Sequence, residues 1–128
     1  MGPRLVMKHI LVVDDDPTIR DLVSQVLAGV GYEVQAAQDG LEAMDSLSDG
    51  CPDLIITDVS MPVIDGGTLV GILRAREETR HAPVLGITGL SDLRRANDAY
   101  FTEVIHKPFD IDDLVSTVDR LLEQSART

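Results

Sequence analysis

The sequence has little with which to build a disulfide-bonded or membrane-spanning protein. Cys51 is the only cysteine in the 128 residues, so no internal disulfide can form and a reducing compartment is favoured. No apolar stretch approaches the roughly 20 residues of a transmembrane helix, and the apolar run after Arg4 and Lys8 is too short for a signal peptide. We therefore expect a cytoplasmic protein with no membrane partner.

Positive charge is scarce as well. The chain has 11 Lys and Arg residues against 22 Asp and Glu residues, which gives a formal net charge of −11. This balance disfavours binding to nucleic-acid phosphates and to anionic membrane surfaces through general electrostatics. We expect no nucleic-acid partner, and a cation is the more natural ligand for such a chain.

What the sequence does have is a regular alternation of apolar runs and helical periodicities. The apolar runs predict strands at residues 9–13, 32–37, 54–57, 84–88 and 104–105. Apolar residues at three- and four-residue steps predict helices around residues 19–30, 41–47, 69–73, 93–100 and 111–122. Five β-α units predict an α/β fold with a parallel sheet between two helical layers, and the length suits a single domain over residues 1–128.

Polar residues follow four of the predicted strands. They are Asp14, Asp15 and Asp16 after the first, Asp58 after the third, Thr88 after the fourth and Lys107 after the fifth. Ligands of open parallel sheets bind outside the carboxyl ends of the strands, so these side chains should meet at one edge. Each residue alone would be an ordinary helix cap, strand end or surface lysine, and only their joint occurrence predicts a site.

The chemistry of the predicted cluster follows from its charges. Carboxylates held within a few ångströms repel each other, so they share a proton or bind a cation. Because the oxygen ligands are few, Mg²⁺ is a better candidate than Ca²⁺. A lysine and a hydroxyl could hold phosphoryl oxygens while one carboxylate attacks phosphorus in line, which would give an aspartyl phosphate.

Four motifs strongly resemble the receiver domain of two-component response regulators, of the chemotaxis-type single-domain form. They are Asp14-Asp15, Asp58 within DLIITDVSMPVIDG, Thr88 within LGIT, and Lys107-Pro108 within HKPF. The resemblance covers about residues 8–123. It implies a flavodoxin-like, doubly wound, five-stranded parallel sheet with strand order 2-1-3-4-5 and helices on both faces.

The resemblance also implies roles for individual residues. Asp58 is implied as the phosphoacceptor. The implied Mg²⁺ ligands are Asp15 directly, Asp14 mainly through water, Ser60 through its backbone carbonyl, and Asp58 itself.

The remaining motif residues are implied to assist the acceptor. Thr88 would sense the phosphoryl group, and Lys107 would be its ion-pair partner, aimed into the site by a cis bond to Pro108. Asp16 falls outside the metal pair, and we expect it to cap the first helix. Val104 stands three residues before Lys107, where the family usually has Tyr or Phe, so the usual aromatic switch is not expected from that position.

The implied function is that of a signalling domain. It would take a phosphoryl group from the phosphohistidine of a sensor histidine kinase or a phosphotransfer protein and switch a protein-interaction surface whose target stays open. The domain would catalyse only its own phosphorylation and dephosphorylation. Whether it stands alone or belongs to a longer regulator or hybrid kinase also stays open.

Two alternatives remain at this point. The run from Asp14 to Thr18 also fits Asp-x-Asp-x-Thr, the nucleophile motif of haloacid-dehalogenase-like phosphatases, with Asp14 as nucleophile and Asp16 as acid/base. That interpretation leaves Asp58 without a role. The other alternative is a binding module that uses the receiver surface without phosphorylation.

Overall fold

The computed structural model describes residues 7–59, 66–89 and 101–126, which form strands and helices in alternation. The elements are β1 (His9–Val13), α1 (Pro17–Val30), β2 (Glu33–Ala37), α2 (Gly40–Ser46), a short 3₁₀ helix (Leu47–Asp49), β3 (Leu54–Asp58), α3 (Gly66–Ala75), β4 (Val84–Thr88), β5 (Glu103–His106) and α4 (Ile111–Ala126). The helix predicted around residues 93–100 lies outside the described residues. Helix α4 is therefore the one that the sequence predicts as the fifth.

The five strands form one sheet in the order β2-β1-β3-β4-β5, with every neighbouring pair parallel. This confirms the doubly wound, flavodoxin-like arrangement. Because β1 lies between β2 and β3, the strand order reverses at β1, and such a reversal opens a crevice over the carboxyl ends of the strands. Val13 pairs with Thr57 in the register, so Asp14, which follows β1, lies beside Asp58, the last residue of β3.

Helices cover both faces of the sheet, as predicted. Alternate strand residues such as Leu11 and Ile55 pack with α2 and α3, whereas Ile10 and Ile56 pack with α1 and α4. The central strands β1, β3 and β4 are almost wholly buried, which explains their continuous apolar runs. The edge strands β2 and β5 are only partly buried.

Helix α1 positions the loop that carries the first acidic residues. Asp16 is its N-cap, because its Oδ1 accepts a hydrogen bond of 2.9 Å from the amide of Thr18, and Pro17 begins the first turn. This confirms the capping prediction for Asp16. Gly31 ends the helix with φ of 117°, a left-handed conformation that glycine adopts without strain. Gly29 lies inside α1, two residues before this end.

Helix α4 is amphipathic and longer than its periodicity predicts, since it continues to Ala126. It buries Leu114, Val118 and Leu121 against the sheet. Asp112 and Asp113 lie in its exposed first turn, where acidic side chains stabilise a helix N-terminus. Among the helices of the described residues, none is both long enough and apolar enough to cross a bilayer.

A glycine in the centre of the buried strand β4 makes room for an aromatic ring. A Cβ atom at Gly86 would lie 2.9 Å from two ring carbons of Phe101 and 3.2 Å from Cγ2 of Val59. Phe101 precedes β5, is 8% exposed and belongs to the core on the α2 and α3 face. The ring therefore takes the space in which a side chain at position 86 would otherwise lie.

Candidate functional site

Three carboxylates meet at the carboxyl ends of β1 and β3. Asp14, Asp15 and Asp58 each offer one oxygen atom, and these atoms lie within 4.8 Å of one another. The parallel register of β1 and β3 causes this, because each strand is followed or ended by an aspartate at the same level of the sheet. Asp14 and Asp58 are buried, whereas Asp15 is exposed.

The side chain of Asp14 is held by a backbone hydrogen bond, and its ionised form is disfavoured by burial. Its Oδ1 accepts a hydrogen bond of 2.9 Å from the amide of Asp16, while its Oδ2 is buried and has no hydrogen-bond partner among the described residues. Burial raises the pKa of Asp14 from 3.8 to about 6; the Asp16 hydrogen bond opposes that rise, and the charge of Asp58 adds to it. An ionised carboxylate in such a position is costly until a cation compensates it.

Lys107 supplies positive charge to the cluster. Its Nζ donates a hydrogen bond of 3.2 Å to Oδ2 of Asp58 and lies 3.8 Å from Oδ2 of Asp14. Burial by itself would lower the pKa of Lys107, but the carboxylates of Asp14 and Asp58 raise it more, so the net pKa shift is upward. The ammonium group therefore stays protonated at neutral pH. The Lys107-Pro108 peptide bond is cis, as the resemblance implies.

Thr88 lies at the same edge, and its hydroxyl donates a hydrogen bond of 3.0 Å to the carbonyl of Gly89. Its backbone carbonyl accepts a hydrogen bond of 2.7 Å from the amide of Lys107, so the ends of β4 and β5 are joined directly. Ser60, the remaining predicted ligand, lies outside the described residues.

Sequence reasoning missed two residues that contact the site. Arg20 donates a hydrogen bond of 2.9 Å from Nη1 to the backbone carbonyl of Asp14. Thr57 is fully buried and donates a hydrogen bond of 3.0 Å from its hydroxyl to the carbonyl of Asp58. The position of Arg20 one helical turn after the cap Asp16 was a usable signal, because side chains in the first turn can reach back to the preceding strand.

The donor set fits a hard divalent cation. Carboxylate oxygens are the ligands that Mg²⁺ and Ca²⁺ prefer, and Oδ2 of Asp14, which accepts no hydrogen bond from the described residues, is an acceptor that a cation would satisfy. The three carboxylates lie close enough to share one ion. The acidic cluster of this domain could therefore bind a metal ion.

Comparison with known proteins agrees with this geometry. The family model described as "Response regulator receiver domain" matches residues 10–119. The DNA-binding dual master transcriptional regulator RpaA of Synechocystis sp. is 38% identical over 124 residues, which are 94% of this chain and 52% of RpaA. The DNA-binding transcriptional regulator NtrC of Klebsiella pneumoniae is 36% identical over 87% of this chain and 24% of its own length.

Solved structures give the same result. The signal receiver domain of a signal transduction histidine kinase from Syntrophus aciditrophicus superposes with a TM-score of 0.88 at 36% identity, with 94% of each chain covered. The chemotaxis response regulator CheY4 of Vibrio cholerae superposes with a TM-score of 0.82 at 32% identity, over 91% of this chain and 99% of CheY4.

The fold and the site together define a parallel α/β signalling domain with an acidic cluster at the carboxyl edge of its sheet. The chain belongs to the receiver-domain family of two-component response regulators. It spans about half the length of RpaA and about a quarter of NtrC.

Proposed function

We propose that Asp58 accepts a phosphoryl group from the phosphohistidine of a sensor histidine kinase or a phosphotransfer protein, in the presence of Mg²⁺. The observation that carries this proposal is the contact of 3.2 Å between Lys107 and Asp58 inside the cluster of three carboxylates. Asp14, Asp15 and Asp58 would hold the ion, together with the backbone carbonyl of Ser60. When bound, Mg²⁺ would supply positive charge to the carboxylates and the phosphoryl oxygens.

The transfer needs only positioned charges and one nucleophile. An oxygen atom of Asp58 forms the new bond to phosphorus as the bond from phosphorus to the imidazole nitrogen breaks, and that electron pair stays with the imidazole. The ammonium group of Lys107 would follow the phosphoryl oxygens from its present partner, Oδ2 of Asp58. The hydroxyl of Thr88 would exchange its bond to Gly89 for one to a phosphoryl oxygen.

The geometry favours Asp58 over Asp14 as the nucleophile. One oxygen of Asp14 accepts a hydrogen bond from the Asp16 amide. Burial also raises the pKa of Asp14, so its ionised, nucleophilic form is less populated in the metal-free protein. Asp16, the acid/base residue of the phosphatase alternative, uses its carboxylate to cap α1. These contacts, with the family match, favour the receiver interpretation over the phosphatase interpretation.

Phosphorylation would then change a protein-interaction surface. The link from the site to β5 is the hydrogen bond from the amide of Lys107 to the carbonyl of Thr88, which a movement of Thr88 would strain. The target of that surface stays open. RpaA and NtrC are named as DNA-binding regulators, whereas the absence of a nucleic-acid partner and the cytoplasmic location of this chain stay predictions based on its charge and its single cysteine.

The test is Mg²⁺-dependent labelling by a small acyl phosphate, followed by mass measurement and mapping of the modified residue. We expect one phosphoryl group, on Asp58, that is absent from the Asp58→Asn variant and from samples with a chelator. Asp16→Asn is the matched control, because asparagine also caps helices and this exposed position lies outside the acceptor set.

Other outcomes of the same experiment point elsewhere. A label that maps to Asp14 and persists in the Asp58→Asn variant would support the phosphatase interpretation. A wild-type protein that takes no label from the acyl phosphate or from a phosphorylated kinase would support the binding module.

A further inference from the structure

We infer that Arg20 is a positioning residue for the metal-binding carboxylates, because its guanidinium group holds the peptide that joins Asp14 to Asp15. The inference rests on the proposed Mg²⁺ site and concerns how that site is shaped before an ion arrives. Arg20 touches neither the phosphoryl group nor the ion in this account. It acts through the backbone of Asp14 and Asp15, the two residues that follow β1.

The side chain of Arg20 folds back from α1 to the end of β1. Its backbone amide donates to the carbonyl of Asp16 at 2.9 Å, as expected in the first turn of a helix, while its Nη1 donates to the carbonyl of Asp14 at 2.9 Å. Arg20 is half-buried, so this hydrogen bond is partly shielded from water. A charged donor of this kind makes a stronger bond to a carbonyl than a neutral one.

The direction of the Asp14 carbonyl constrains the position of Asp15. The peptide group is planar, so fixing the direction of the Asp14 carbonyl also fixes the amide of Asp15 and limits where its side chain can point. The side chain of Asp14 is held separately, by the Asp16 amide. Within the described residues, the Asp15 carboxylate has no hydrogen bond or ion pair of its own, so its backbone alone positions it.

Arg20 also carries a positive charge, so the direction in which its removal changes Mg²⁺ affinity tests the inference. If the guanidinium group acted only as a charge, its removal would strengthen the binding of a cation, because a repulsive neighbour would be lost. If it positions the Asp14–Asp15 peptide, its removal weakens cation binding, because Asp15 no longer faces Asp14 and Asp58. The two explanations predict opposite changes in Mg²⁺ affinity.

The experiment is a titration of the metal-free protein with MgCl₂ by calorimetry, without any phosphodonor. We expect Arg20→Met to raise the Kd for Mg²⁺ by about fivefold to tenfold, the cost of one charged hydrogen bond less the gain from reduced repulsion. Arg20→Lys keeps the charge but not the planar donor, and we expect a smaller rise of about twofold to fivefold. In the metal-free Arg20→Met variant, the backbone amide resonances of Asp15 and Asp16 should also shift.

Arg120→Met is the matched control. It removes the same charge from an exposed pair with Glu103, which lies at the opposite end of β5, and it should leave the Kd within about twofold. Equal or tighter Mg²⁺ binding by both Arg20 variants would overturn the inference and leave the proposed function intact. A wild-type protein that does not bind Mg²⁺ would overturn the proposed function and the inference with it. If Arg20→Met does not fold, unchanged binding by Arg20→Lys alone overturns the inference.

Discussion

At the edge where the strands of the sheet begin, the charged side chains of Asp53 and Arg74 pair with backbone groups, whereas at the edge where the strands end three carboxylates face one another. At the first, amino edge, Oδ2 of Asp53 accepts a bond of 2.8 Å from the amide of His9. Arg74 donates from Nη1 to the carbonyls of Arg80 and Ala82 at 2.9 and 2.5 Å. These contacts hold loops against the sheet and leave each charge with a partner of suitable polarity.

At the second, carboxyl edge, three carboxylates lie within 4.8 Å of one another, and Lys107 is the ammonium group that contacts two of them. Within the part of the chain that the structure describes, the Oδ2 atom of Asp14 is buried and has no hydrogen-bond partner. The same sheet therefore has one edge that stabilises the fold and one that carries a local electrostatic cost. Such conflicts with local stability are expected where a binding site has been built.

The largest expected effect comes from removing the charge of Asp14. Its pKa is about 6 in the folded protein and 3.8 ordinarily, so the folded state binds more protons than the unfolded state between these values. The stability contributed by the protonated carboxyl is fully present below pH 3.8 and is lost as the pH rises through 6. Between pH 4 and pH 8, we expect the free energy of unfolding of Asp14→Asn to rise by about 2.5 kcal/mol relative to that of the wild type.

Urea unfolding in the presence of a chelator, at several pH values, measures this difference. Asp16→Asn is the control, since it removes a neighbouring carboxylate charge from an exposed position. If the difference in free energy of unfolding between Asp14→Asn and the wild type were constant across this pH range, the raised pKa of Asp14 would be contradicted.

At the amino edge we expect a loss of stability without a loss of ion binding. Arg74→Met removes the donor to the carbonyls of Arg80 and Ala82 and should lower the free energy of unfolding by about 2 kcal/mol. The Kd for Mg²⁺ should stay within about twofold of the wild type. Arg76→Met, at an exposed position nearby, is the control and should change stability by less than about 0.5 kcal/mol. A large change in Mg²⁺ affinity in Arg74→Met would show that the two edges are not independent.

Lys107→Met should increase the repulsion among the carboxylates at the carboxyl edge. In the metal-free protein at pH 8, the loss of the ammonium group leaves Asp14 and Asp58 less compensated, and we expect stability to fall by about 1 kcal/mol because the lysine is partly screened by solvent. The affinity for Mg²⁺ should rise, because the ion no longer competes with the ammonium group of Lys107 for the carboxylates of Asp14 and Asp58. Paired unfolding experiments with and without MgCl₂ test both effects, and Lys8→Met at an exposed position is the control. Weaker Mg²⁺ binding in Lys107→Met would argue against a shared site.

The smallest effect is expected from Asp53. Asp53→Ala leaves the amide of His9 without its side-chain acceptor and should cost about 0.5 to 1 kcal/mol, while Asp53→Asn, which keeps an acceptor oxygen, should cost less. Neither variant should change Mg²⁺ binding or phosphoryl labelling. Thermal unfolding compared between the two variants is sufficient, and equal losses would mean that the hydrogen bond contributes nothing measurable.

The central strands were predictable from sequence, and the edge strand β5 was less so. Residues 9–13 and 84–88 coincide with β1 and β4, because a strand covered on both faces must be apolar throughout. The prediction for β5 was confined to residues 104–105, since Glu103 and His106 at its ends are polar, as an edge strand permits. The strand order came from the family resemblance, because periodicity alone does not determine which strands are neighbours.

The composition of the site was predictable, but its internal contacts were not. The carboxylates could be anticipated from their positions after strands, since parallel strands present their ends at one edge. The contact of Arg20 with the carbonyl of Asp14 and the burial of Oδ2 of Asp14 depend on side-chain directions that no linear pattern encodes. The roles of Asp58, Thr88 and Lys107 stay predictions until labelling is measured.

The packing of the Phe101 ring against Gly86 predicts how these two positions vary together in evolution. An alanine at position 86 would collide with the ring, and a small residue at position 101 would leave a void against the backbone of β4. Neither change is easily accepted alone, so the two positions should be inherited as a pair. Among homologous sequences, a side chain larger than hydrogen at position 86 should accompany a smaller residue at position 101, and that covariation would mark lineages which fill this part of the core differently.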